Sequence, residues 1–158
     1  MASYRVGDDD FTLNVIEHGL LRRNAKPPYS LRRTLGSSDR RLVAAPSKLD
    51  PRIHFALNCA AASCPPIRAY EPDRVDEQLE LATRSYIEAE TETDQDAKAV
   101  KLPYLLKLYT KDFGAGRGDA LRFVANRLPA ADADWIRAEH LAGTLKLGWT
   151  SYDWAIAT

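Results

Sequence analysis

The stretch PDRVDEQLELATRSYIEAETETDQDAKAVKLPYLLKLYTKDFG, residues 72–114, decides the fold class. Pro72 and Asp73 open a helix, because the fixed φ of proline suits a first turn and an acidic side chain complements its exposed N–H groups. Val75, Leu79, Ala82 and Tyr86 then recur at helical spacing. Residues 91–96 form an acidic linker, and a short strand follows over Ala99–Leu102. Pro103 begins a second helix that ends at Gly114. These elements do not follow one another in the regular βαβ order of a doubly wound sheet.

Outward from this stretch the pattern persists. Gly118 and Asp119 cap a helix that turns Leu121, Val124, Ala125 and Leu128 inward, and residues 132–140 add another turn or two. Leu145, Leu147 and Trp149 alternate with Lys146 and Gly148, as in a strand with one buried face. Upstream, Tyr4–Val6 reads as a strand entering a turn at residues 7–10, and Thr12 as the cap of a helix with Leu13, Ile16, Leu20 and Leu21 on one face. Residues 22–46 are basic, contain proline and lack a period; a loop this long is more often functional than decorative. The expectation is one α+β domain over residues 1–158, with several helices around a small, mainly antiparallel sheet that includes residues 52–58 and 144–149.

The composition bounds the function. With 45% hydrophobic and 28% charged residues the chain is globular, and 22 basic side chains balance 22 acidic ones. No global field draws it to nucleic acid or anionic lipid. Its longest uncharged run, residues 53–67, is too short and too broken by His54, Asn58 and Pro65 to span a bilayer. The first residues lack the apolar core of a signal peptide. Two cysteines are too few for a disulfide scaffold, so a cytoplasmic, reducing setting is the default. The expected partner is a small molecule or a protein, with neither nucleic acid nor membrane, and no cofactor or metal is expected.

Residues 50–68, DPRIHFALNCAAASCPPIR, carry the chemistry. Read as a strand, Ile53, Phe55, Leu57 and Cys59 face one way and His54 and Asn58 the other. Cys59 is then a core thiol and Cys64 a loop thiol nearer the surface. A bond between them requires residues 60–63 to curl back, which a separation of five permits. Cys64 precedes Pro65 and is disfavoured as a helix-start thiol.

Three blocks, FTLNVIEHGLLR at residues 11–22, the stretch at 50–68, and YDWAI at 152–156, resemble the family known as "domain of unknown function 547". That family usually has an upstream helix with a Trp-Ile-Asn-x-Tyr-Asn motif, which residues 1–10 do not supply. The resemblance therefore implies the C-terminal part of that domain, and it implies no established chemistry.

Two classes of function remain open. In a thiol-dependent hydrolase or transferase, Cys64 is the nucleophile, His54 or His18 the base and Asp153 its orienter. Glu17, on the apolar side of the first helix with His18 on its flank, is either a functional acid or base or a carboxylate paired to an arginine such as Arg52 or Arg68. The other class is a non-catalytic ligand- or protein-interaction module. A metal set of His18, His54, Cys59 and Cys64 is set aside, because His54 and Cys59 leave the expected strand on opposite faces.

Overall fold

The structure, a computed structural model, describes residues 3–156. The protein is α+β, and its chain folds as two compact units, Met1–Pro51 and Arg52–Thr158.

In the first unit, β1 (Ser3–Val6) and β2 (Asp9–Thr12) form an antiparallel hairpin. Gly7 turns it at a φ of 60°, in the left-handed region where glycine carries no Cβ penalty. The Thr12 hydroxyl accepts from the Val15 N–H at 3.2 Å, as the sequence suggests for a cap. The helix it starts, Val15–Leu21, is wound as a π-helix. The Arg22 N–H reaches back five residues to the Glu17 carbonyl at 2.8 Å, and that of Asn24 to Gly19 at 3.0 Å. This wider winding rotates the buried face: Leu13 is exposed and His18 is buried, the reverse of a 3.6-residue wheel.

Several arginines of the basic segment bond within their own unit, although most of its charges stay exposed. A 3-10 helix, Arg40–Ala44, is capped by Asp39. Arg40 pairs with Asp9 at 2.9 Å, and Arg41 donates to the Asp10 carbonyl at 2.7 Å. Arg41 also grips the Asp39 carboxylate through both of its oxygens. Those side-chain bonds, with the Arg41 N–H, lower the Asp39 pKa to about 2. A folded-state value below the unfolded one contributes stability above pH 3.8, and that contribution is lost as pH falls through about 2. Carboxyl-resonance titration should show this low midpoint, and Arg41→Ala should return it toward the ordinary carboxylate range. An unchanged midpoint in the variant would remove Arg41 as the cause.

In the second unit, Pro51–Phe55 at its boundary is a 3-10 helix, which corrects the strand expected over residues 52–58. Pro51 presets a helical first turn. The N–H groups of Ala56 and Leu57 then close on the Ile53 carbonyl at 3.0 and 3.1 Å. Ile53, His54 and Phe55 are buried consecutively, which no strand alternation allows.

A further 3-10 turn, Pro72–Arg74, leads into α1 (Val75–Glu90), which buries Ala82, Thr83, Tyr86 and Ile87 as one stripe. The acidic linker contains a strand, β3 (Glu92–Asp94), antiparallel to β4 (Ala99–Leu102). Short helices α2 (Tyr104–Leu108) and α3 (Thr110–Phe113) follow, then α4 (Arg117–Ala125) and α5 (Ala130–Leu141). The chain returns as β5 (Lys146–Trp149), parallel to β4. Phe55, Ile87, Val100, Leu102, Leu106, Val124 and Ile136 form the centre of one apolar core. Full burial of each such side chain stabilises by about 1.5–3 kcal/mol. Among the described residues, no helix is long and apolar enough to cross a membrane.

Candidate functional site

Beyond the Pro51–Phe55 turn, Asn58 organises a tight loop. Its Oδ1 accepts from the Ala60 N–H at 2.7 Å and its Nδ2 donates to the Pro65 carbonyl at 2.7 Å, so one side chain ties both ends together. Ala60 sits at a φ of 66°, unusual for a residue with a Cβ. Cys59 and Cys64 are joined by a disulfide, with Cα atoms 6.3 Å apart. Cys59 is exposed and Cys64 half-buried, so the expected order of burial is reversed. The reason is the missing strand: without its alternation, nothing carries Cys59 into the row of Ile53 and Phe55.

The C-terminal segment lies along this loop. The Ala62 N–H donates to the Ala155 carbonyl at 2.8 Å, the Asp153 N–H to the Ser63 hydroxyl at 2.9 Å, and Ala61 bridges Ile156. Tyr152 is thereby set against the disulfide, its hydroxyl donating to Cys64 Sγ at 3.3 Å and standing 3.7 Å from Cys59 Sγ. From α1, the Tyr86 hydroxyl donates to the Ser63 carbonyl at 2.9 Å, and its burial raises the phenol pKa well above its ordinary range. A cleft of about 200 Å³ beside the loop is lined by Cys64, Arg68, Tyr86 and Glu90 among others.

His54 belongs to a separate cluster. Its Nε2 lies 2.8 Å from Asp112 Oδ2, and the two side chains are only 1% and 5% exposed. Its ring stacks on Tyr109, with centroids 3.9 Å apart and 20° between planes, and Phe113 lies 5.8 Å away. The carboxylate on His54 is thus Asp112, which the sequence reading did not single out. Asp153 uses its Oδ1 to accept from the Ala155 N–H at 2.9 Å, shaping the terminal segment. The structure therefore brings Cys64 and the Asp153 backbone into one loop, while the imidazole–carboxylate pair forms at 54 and 112. The two residues of that pair are 58 positions apart, and no local pattern signals such a contact.

In the first unit, the π-helix gathers the other candidates. His18 Nδ1 is 3.1 Å from an Arg22 guanidinium nitrogen and 3.4 Å from Glu17 Oε1. Arginine can only donate, so Nδ1 accepts and Nε2 carries the proton toward the Tyr29 hydroxyl at 3.0 Å. Tyr29 passes the donation on to Asn14 Oδ1 at 3.1 Å. Burial, followed by the Glu17 charge, raises the Tyr29 pKa. Glu17 is half-buried, with its Oε1 3.4 Å from His18 Nδ1. Among the described residues, no group of three or more His, Cys, Asp or Glu side chains is placed to hold a metal.

A family model described as a protein of unknown function, DUF547, matches residues 1–87. That span contains the blocks at residues 11–22 and 50–68, while the block at 152–156 lies beyond it. No curated protein and no solved structure matches the chain.

Proposed function

The chain belongs to the DUF547 family, whose model matches more than half of it, and on that premise we propose a non-catalytic interaction module that presents the disulfide-closed loop to a protein or small-molecule partner. The observation that carries this reading is the engagement of the Cys64 sulfur, bonded to Cys59 and held by Tyr152. The remaining groups are committed too: His54 to Asp112, and the Asp153 carboxylate to its own turn. Around the loop, Ile67, Trp154 and Ile156 stand exposed, the kind of side chain that anchors an interface.

The His54–Asp112 pair favours a second reading, a thiol-dependent hydrolase or transferase in which reduction frees Cys64 and His54 serves as base. In that reading Asp112 takes the orienting role first given to Asp153.

One comparison separates the two. After reduction of the disulfide, the module reading expects the alkylation rate of Cys64 by iodoacetamide to change by less than about twofold in His54→Gln. It also expects p-nitrophenyl acetate to be hydrolysed no faster than in buffer. A loss of about tenfold or more in the folded variant, the size of general-base assistance, would overturn the module in favour of catalysis. Asp112→Asn provides the same comparison with the imidazole left in place.

A further inference from the structure

We propose that Cys59–Cys64 is a thiol–disulfide exchange site that accepts two electrons from a dithiol, with Cys59 as the sulfur attacked and Cys64 as the leaving group. The asymmetry of the pair supports this. Cys59 is exposed, whereas Cys64 is half-buried. The Cys64 sulfur receives two donors, the Cys59 backbone N–H at 3.1 Å and the Tyr152 hydroxyl at 3.3 Å. The Tyr152 hydroxyl also stands 3.7 Å from Cys59 Sγ, so the bias toward Cys64 comes from its shorter approach there and from the Cys59 N–H; the better-stabilised thiolate leaves faster.

Tyr152 is suited to this task. It is half-buried, with Trp154 packed 4.4 Å from it and Tyr104 5.9 Å from it, ring centre to ring centre. Burial, followed by the Glu90 carboxylate, raises its pKa, which favours the protonated, donating phenol. The other charged and titratable groups lining the cleft beside Cys64 are Arg68 and Tyr86.

The chemistry balances with the dithiol alone. One thiolate of the dithiol attacks Cys59 Sγ and forms a mixed disulfide. The Cys59–Cys64 bond breaks, and its electron pair stays on Cys64 as a thiolate facing the two donors. The second thiol of the dithiol, deprotonated by solvent, attacks its partner sulfur in the mixed disulfide and closes the oxidised ring. Cys59 departs as a thiolate, and the two cysteines take up the two protons. The dithiol is oxidised by two electrons and the chain is reduced by two.

The test uses the full chain, without denaturant, with glutathione and dithiothreitol as probes. Brief exposure to glutathione, acid quenching and peptide mass spectrometry should find the mixed disulfide at Cys59 in about tenfold excess over Cys64. Reduction by dithiothreitol should be first order in thiol, and Tyr152→Phe should slow it by about three- to tenfold, as expected when the leaving thiolate loses one donor. In the reduced chain the same variant should raise the Cys64 pKa by about one unit in an alkylation–pH profile. Equal or reversed mixed-disulfide distribution overturns the proposal. So does a Tyr152→Phe rate equal to wild type, or a reduction rate that saturates with thiol and tracks unfolding, as for a purely structural disulfide. The regiochemistry needs no variant, so a misfolded Tyr152→Phe leaves the decision intact. Failure here is distinct from failure of the module reading, which is decided by His54.

Discussion

Asp112→Ala is expected to destabilise the Arg52–Thr158 unit by about 1–3 kcal/mol with a neutral His54 and about 3–5 kcal/mol with a charged one, the cost of stranding one member of a buried hydrogen-bonded pair. His54 and Asp112 are almost wholly removed from water and meet at 2.8 Å. The ring cannot swing out to find solvent, because Tyr109 covers one face at 3.9 Å and the chain on either side is buried as Ile53 and Phe55. All three tryptophans, Trp135, Trp149 and Trp154, belong to this unit. Urea unfolding followed by tryptophan fluorescence therefore reports on it directly, as a fall in midpoint at constant slope. Asp112→Asn sharpens the result. If the imidazole is neutral with its proton on Nε2, the asparagine Oδ1 still accepts that hydrogen bond and most of the loss is recovered. If it is an imidazolium, the charge is stranded and asparagine behaves like alanine. A midpoint unchanged in Asp112→Ala would mean that the pair is structurally idle.

That pair also marks where reading the sequence runs out. The sheet at β4 and β5 is visible because Leu145, Leu147 and Trp149 alternate, and α1 because its apolar residues keep helical spacing over sixteen residues. Residues 53–58 offer only six positions, in which Ile53, Phe55 and Leu57 alternate with His54, Ala56 and Asn58. Such a run fits period two by chance, and the proline before it, with hydrogen bonds closing on Ile53, decides for a tight turn instead. Every error about Cys59 descends from that one register. The winding of Val15–Leu21 misled in the same way: a single π-turn changes which side chains face inward, and it took His18 from flank to interior. Of the candidate site, the residue types near the distinctive block were legible. Their partners were not, because Asp112 meets His54 and Tyr152 meets Cys64 only through long-range packing.

In the first unit, the largest single effect is expected at Asn24. Its Nδ2 donates to the Leu35 carbonyl at 2.9 Å and its Oδ1 accepts from the Leu35 N–H at 3.0 Å, with both residues buried. One amide thus replaces a pair of strand-like bonds and closes the loop that carries Tyr29 to His18. The Asn24 carbonyl is itself held by Arg33 at 2.6 Å. Asn24→Ala leaves two buried backbone groups without partners, at about 1–3 kcal/mol each. It also places an alanine at a φ of 57°, a position that asparagine tolerates better. The sum is about 3–7 kcal/mol of local stability. Asn24→Gly removes the backbone penalty alone and should recover roughly 1 kcal/mol of it. Asn24→Asp restores the acceptor for the Leu35 N–H, but sets a second oxygen against the Leu35 carbonyl and should recover little. The unit contains no tryptophan, so the probe is exchange of the Leu35 amide proton, which should accelerate by about a hundredfold or more in Asn24→Ala. If that amide exchanges at the wild-type rate, the Asn24 side chain does not hold the loop, and the placement of Tyr29 beside His18 must come from the helix alone.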